Sequence, residues 1–206
     1  MASVESEFWR VQARRYDRVV GVLNRRFDEM AKQVGAALDG CHDVLEVAAG
    51  TGLVTQHIAP RVQNLIATDS SAEMLDILRA RMRSLGHPDV VVELADLNAL
   101  RFETASFDAV VMANVLHLLP TPEAALEEVK RVLRPGGRLC APTFCHGEHT
   151  VAHAVSRLLS LSGFKVVTRF SGRSLVSLLE SIGLEVEQRE RYGGLLPIWL
   201  VVARRA

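Results

Sequence analysis

Val44-Leu45-Glu46-Val47-Ala48-Ala49-Gly50-Thr51-Gly52-Leu53-Val54-Thr55 runs a short apolar strand into a tight loop of small residues. Gly50 and Gly52 accept backbone angles that a Cβ forbids and put no side chain between the strand end and its surroundings. A flat, polar ligand can therefore lie directly against backbone at this point. Working outward, a second apolar strand, Asn64-Leu65-Ile66-Ala67-Thr68-Asp69, ends on an acid. The offset is the one at which nucleotide-binding folds hold ribose hydroxyls.

From Asp39-Gly40 onward short apolar runs alternate with helical stretches, the pattern of a doubly wound parallel α/β sheet. Strands are expected near 43–48, 64–69, 90–95, 108–114 and 137–144. Ser70-Ser71-Ala72-Glu73 offers a serine cap, which leaves the Asp69 carboxylate free, and Met74, Leu75, Leu78 and Met82 follow as an apolar stripe until Gly86-His87-Pro88. Thr121 begins another helix with Pro122 at its first position; Ala125, Leu126, Val129, Val132 and Leu133 form its buried face. Ser174 is expected to cap a helix ending at Gly183. Two strands, 184–190 and 195–203, are too closely spaced for a parallel crossover and must pair as an antiparallel hairpin. Before the first strand, residues 5–38 read as helix, with a break near Gly21.

The composition fits one domain of 206 residues, 49% apolar and 23% charged, with no net charge to attract nucleic acid or an anionic membrane. Cys41, Cys140 and Cys145 make neither a disulfide framework nor a paired zinc pattern. No stretch approaches the ~20 apolar residues of a membrane span, and the N-terminus lacks a basic start followed by an apolar core. A soluble, cytoplasmic protein is expected.

In an open parallel sheet, ligands bind outside the carboxyl ends of the strands at the switch point. The first four strands end at the glycine loop, Asp69, Asp96 and Asn114, with His117 one turn beyond Asn114. An ionised Asp69 can accept hydrogen bonds from two vicinal hydroxyls. Asp96 can accept from an adenine amino group while Leu97 borders the ring. Glu46, inside an apolar strand, calls for a cationic amine or a backbone donor, because an unpaired buried charge is expensive. Together these roles describe an adenosine carrying an amino acid.

On these residues the chain resembles the class I S-adenosylmethionine-dependent methyltransferases. Residues 44–55 resemble the family's glycine-rich first motif, Ala67 to Leu75 its second, Ala95-Asp96-Leu97 its third, Phe107 to His117 its fourth, and Arg131 to Leu139 its turn into strand five. The match covers roughly residues 40–145, in order. It implies a doubly wound, Rossmann-like, seven-stranded, mostly parallel sheet with an antiparallel C-terminal hairpin and N-terminal capping helices. One domain would then span 1–206: a helical cap (1–39), a cofactor core (40–145) and a substrate-side segment with the hairpin (146–206). The resemblance also implies S-adenosylmethionine as cofactor, S-adenosylhomocysteine as product, and a small organic methyl acceptor. The expected cofactor residues are Tyr16, Glu46, Ala48, Gly50, Thr51, Gly52, Asp69, Ser70, Met74, Asp96, Leu97, Asn114 and His117. Ala48 departs from the glycine usual at its position, and its methyl should tighten the space beside the methionine moiety.

Other readings are weighed against this one. Asp108 reads as structural. His117, His146 and Glu148 are candidates for a general base, needed only if the acceptor must lose a proton. His146, His149 and His153 have helical spacing but no clear carboxylate or thiolate set, so no metal is expected. Phe8, Trp9 and Tyr16, with Leu158, Leu159, Leu161 and Phe164, read either as an apolar lid over the acceptor or as plain core. Asn114-Val115-Leu116-His117 lacks the Asn/Asp-Pro-Pro-aromatic motif of exocyclic-amine methylation, so a nucleic-acid substrate is not expected. An NAD-dependent oxidoreductase would need glycine or alanine where the chain has Thr55. A non-catalytic relative serving as a binding protein is the remaining alternative.

Overall fold

The computed structural model describes residues 17, 18, 20–148, 150, 152, 155 and 166–206. Tyr16, His149, His153 and the proposed lid residues Phe8, Trp9, Leu158, Leu159, Leu161 and Phe164 lie outside these. Strands β1 (Asp43–Val47), β2 (Asn64–Asp69), β3 (Val91–Leu94), β4 (Phe107–Met112), β5 (Leu133–Cys140), β6 (Thr143–Phe144), β7 (Leu184–Tyr192) and β8 (Ile198–Arg205) form one sheet. Its order is β3-β2-β1-β4-β5-β8-β6, with β7 on the other side of β8. The pairs β1–β2, β1–β4, β2–β3 and β4–β5 are parallel, and β8 runs antiparallel to β5, β6 and β7.

The expected fifth strand is split in two at Ala141-Pro142. Proline has no N–H to give a ladder. Across the break, Ala141 N–H still donates to Val201 O and Cys145 N–H to Pro197 O, so β5 and β6 follow the same edge of β8. The expected seven strands thus become eight segments without a change of topology.

The central strands are buried on both faces, and their side chains alternate between two cores. Leu45, Val47, Val110 and Met112 meet Leu126, Val129, Leu175 and Leu179 on one side. Val44, Ala109 and Val111 meet Met30, Val34, Leu38 and Ile58 on the other. That division is the period-two geometry of a strand. Helices with both ends among the described residues are α1 (Phe27–Ala37), α2 (Thr55–Ile58), α3 (Ala72–Ser84), α4 (Pro122–Val132) and α5 (Gly172–Ser181), and residues 20–23 are helical ahead of α1.

Two helix boundaries differ from expectation. The N-terminal helix breaks at Asn24 and not Gly21, because the Asn24 side-chain amide donates to Tyr192 O (3.1 Å) and Leu196 O (3.2 Å) while its oxygen accepts from Arg26 N–H. Docking to the C-terminal hairpin decides that break. Helix α5 starts three residues earlier, with Ser171 as the cap and Ser174 as its reciprocal capping-box partner.

Candidate active site

A cavity of about 910 Å³ opens at the carboxyl ends of β1 to β4. Ala48, Gly50, Asp69, Ser70, Met74, Asp96, Leu97 and Asn114 all line it, as anticipated. Because the strand order reverses between β1 and β4, their terminal loops part there and leave the crevice. Glu93, Asn98, Arg101, Phe102, Leu118 and Leu119 line the cavity as well, and the sequence reading missed them. Only their closeness in the chain to Asp96 or His117 marks them. No motif does.

The glycine loop is held in shape by Asp69. One carboxylate oxygen accepts from Gly50 N–H at 2.8 Å and the other from Ser71 N–H at 2.9 Å. Ser71, whose hydroxyl accepts from Met74 N–H, is the cap of α3. The Asp69 carboxylate is therefore not free, as the serine cap suggested; it ties the loop to the helix start. Each oxygen still keeps lone-pair capacity for a further donor. Burial raises its pKa, and the N–H groups of Ser71, Gly50 and Ser70 oppose that rise.

Ala48 and Asn114 both have positive φ, 52° in each case, as do Gly50 (57°) and Gly52 (84°). A left-handed conformation explains why glycine suits position 48 better than any argument from space alone. Gly52 is also crowded: a Cβ there would lie 3.0 Å from Leu78 Cγ. Asn114 turns the chain out of β4, its N–H donating to Pro142 O at 2.7 Å. Its side-chain oxygen is buried with no hydrogen-bond partner.

Glu46 is 1% exposed, and neither carboxylate oxygen has a partner; the Thr55 hydroxyl makes no hydrogen bond of good geometry with it. Burial, reinforced by the nearby Asp69 charge, pushes its carboxyl up to about 8. Such a group is neutral near pH 7 unless a cation arrives. Asp96 is exposed and accepts from Asn98 backbone and side-chain N–H groups through one oxygen.

The general-base candidates separate. His117 lies beside the cavity rather than on its lining, its ring 5.0 Å from that of His146 and 5.9 Å from that of Phe144. Burial first, and then His146, hold its pKa well below the usual value, so the imidazole is neutral; its Nδ1 is buried without a partner. Glu148 accepts Gly172 N–H at 2.9 Å at the start of α5, a structural task away from the cavity. Glu46, Thr51 and Gly52, also expected at the cofactor, are not on the cavity lining. Asp108 ties together the opposite end of the sheet through Arg134 and the N–H groups of His42 and Asp43. Among the described residues no group of three or more His, Cys, Asp or Glu side chains is arranged to hold a metal, and no helix is long and apolar enough to cross a membrane.

Residues 44–137, from β1 into β5, match the family model described as a methyltransferase domain. That stretch is just under half of the chain, and over it the chain is similar to methyltransferase domains. It is 41% identical over 96 residues to an uncharacterized methyltransferase of Mycobacterium bovis, covering 47% of this chain and 37% of that protein. It is 33% identical over 174 residues to a malonyl-[acyl-carrier protein] O-methyltransferase of Hahella chejuensis, covering 78% of this chain and 59% of the relative. The chain spans only about a third to three-fifths of these relatives' length. A solved SAM-dependent methyltransferase from Aquifex aeolicus superposes with a TM-score of 0.71 at 20% identity, covering 96% of this chain and 98% of that one. At that identity the superposition speaks for the fold alone.

Proposed function

We propose that the cavity binds S-adenosylmethionine and that this methyltransferase passes the donor's methyl group to a small organic acceptor, leaving S-adenosylhomocysteine. The observation that carries this reading is the set of under-used polar groups that line one cavity, Asp69, Asp96 and Asn114, with buried Glu46 near Asp69. Asp69 retains acceptor capacity where two ribose hydroxyls would lie. Asp96 and Leu97 offer an acceptor and an apolar edge to an adenine. Glu46 has no partner, so the donor's ammonium would supply the cation that makes ionisation there favourable. These residues fit an adenosyl amino acid, and nothing among them calls for a nicotinamide.

The bound donor would supply an already activated sulfonium methyl. The protein's part is then positioning and exclusion of water, which together can lower a barrier by several kcal/mol. Gly50 and Ala48 keep the loop close to the ligand, Asp69 orients it, and Asn114 presents an unpartnered oxygen at the end of β4. If the acceptor loses a proton as it attacks, His117, neutral and set between the lining residues Val115 and Leu118, is the candidate base. A cavity of about 910 Å³ lies near the upper end of small-molecule pockets, which leaves room for an acceptor beside the donor. We read residues 1–206 as one catalytic unit, with acceptor choice residing outside 40–145.

Calorimetric titration with S-adenosylmethionine, S-adenosylhomocysteine and NAD tests the proposal. Binding of both adenosyl-sulfur ligands and not of NAD is expected. Failure of both would remove the reading. Screening phenols, amines, thiols and carboxylic acids for formation of S-adenosylhomocysteine would then identify the acceptor.

A further inference from the structure

Asp17 is a second aspartate that bonds to the glycine loop. Its Oδ1 accepts the Thr51 hydroxyl at 2.6 Å, and its Oδ2 accepts from Arg81 Nη2 near the end of α3. Thr51 is 1% exposed, and the side chains of Arg81 and Asp17 are 19% and 37% exposed. Two aspartates thus grip consecutive loop residues: Asp69 holds Gly50 through its N–H, and Asp17 holds Thr51 through its hydroxyl. The second grip also joins the loop to α3, the helix that Asp69 joins from its other end through Ser71.

We infer that Asp17 is a positioning residue for donor binding. By holding Thr51 against Arg81 it keeps the Ala48-to-Gly52 turn in the left-handed geometry that brings backbone close to the ligand. The inference rests on the donor reading above but concerns a residue that touches no part of the cavity. The physical case is preorganisation. A loop with three left-handed residues, Ala48, Gly50 and Gly52, has many alternative shapes, and a ligand that must select one of them binds more weakly. A charged carboxylate bonded to a buried hydroxyl and a guanidinium restricts those shapes before the ligand arrives.

The test is a double-mutant cycle read by calorimetry with S-adenosylhomocysteine, together with thermal midpoints of the ligand-free proteins. Asp17→Asn can still accept from Thr51 but cannot neutralise Arg81. Thr51→Val removes only the hydroxyl. Each is expected to weaken binding about tenfold, and the double variant is expected to bind about as weakly as the worse single one, because both break the same clamp. Thr51→Ser, which keeps the hydroxyl, should stay within about threefold of the parent. Single-variant affinities within about twofold of the parent, even with lowered midpoints, would reduce Asp17 to a purely structural contact and overturn the inference; losses that multiply in the double variant would do the same. Should the parent itself bind no S-adenosylhomocysteine, the donor reading fails and takes the clamp's purpose with it.

Discussion

Ala48→Gly should stabilise this protein, against the usual outcome of removing a methyl group. At φ 52° the Ala48 Cβ crowds its own backbone. An L-residue in that region costs about 1–2 kcal/mol, which glycine recovers. Two effects oppose the gain. Glycine has more freedom in the unfolded chain, worth about 0.4–1 kcal/mol, and the half-buried methyl contributes a few tenths of about 0.8 kcal/mol. The balance is a net stabilisation of about 0.5 kcal/mol, or a rise of roughly 1–2 °C in Tm for a chain of this size. Ala105 provides an internal comparison, because it has nearly the same strain, φ 56°, in a turn away from the cavity. Ala105→Gly should rise similarly. Ala48→Val, by contrast, adds a β-branch to a left-handed residue and should lower Tm. Scanning calorimetry on the ligand-free proteins measures all three changes, and titration with S-adenosylhomocysteine shows whether Ala48→Gly binds at least as tightly as the parent. A fall of more than about 1 °C for Ala48→Gly, with no fall for Ala48→Val, would falsify the backbone argument.

Three further outcomes follow from individual residues. Glu46, raised from 4.5 to about 8 by burial, holds a proton in the folded state that the unfolded chain gives up. Its contribution to stability is complete below about pH 4.5 and is lost as pH rises through about 8. The parent's Tm should therefore decline more steeply than that of Glu46→Gln between about pH 5 and 8; parallel curves would mean that the carboxyl is not buried uncharged. Asp69→Ala deletes the acceptor of Gly50 and Ser71 N–H as well as the proposed ribose contact, and should weaken S-adenosylhomocysteine by about 1.5–3 kcal/mol in calorimetry; unchanged affinity would place the ribose elsewhere. Gly172→Ala would put a methyl 2.6 Å from Trp199 Cδ2, an overpacking penalty of about 1–3 kcal/mol, visible as a fall of several degrees in Tm. A variant as stable as the parent would show that the indole has room to move.

Much of the architecture is legible locally. The buried alternation of Val44, Leu45 and Val47, the stripe from Met74 to Met82 and the proline that opens α4 each declare an element within a few residues. The places where local reading slipped were those where a distant partner intervened. Asn24 breaks its helix because two carbonyls of the C-terminal hairpin bind its amide. At Pro142 the fifth strand loses one donor, and β8 bridges the interruption. The Ser171 cap was missed in favour of Ser174 because both belong to the same reciprocal pair.

By itself the sequence determined the parallel sheet, the cavity's place at the strand ends and the polar groups that each of the first four strands carries to its own end, since these depend on periodicity and on local residues. Only the tertiary structure decided what those residues do to one another. It turned Ala48 from a question of space into one of backbone strain, left Glu46 without a partner, and set Asp69 to gripping the loop it faces. The clamp is the plainest case: Asp17 meets Thr51 and Arg81 across 34 and 64 residues of chain. Hydrogen bonds act over about 3 Å, and sequence spacing cannot specify that distance once helices and strands have folded back on each other.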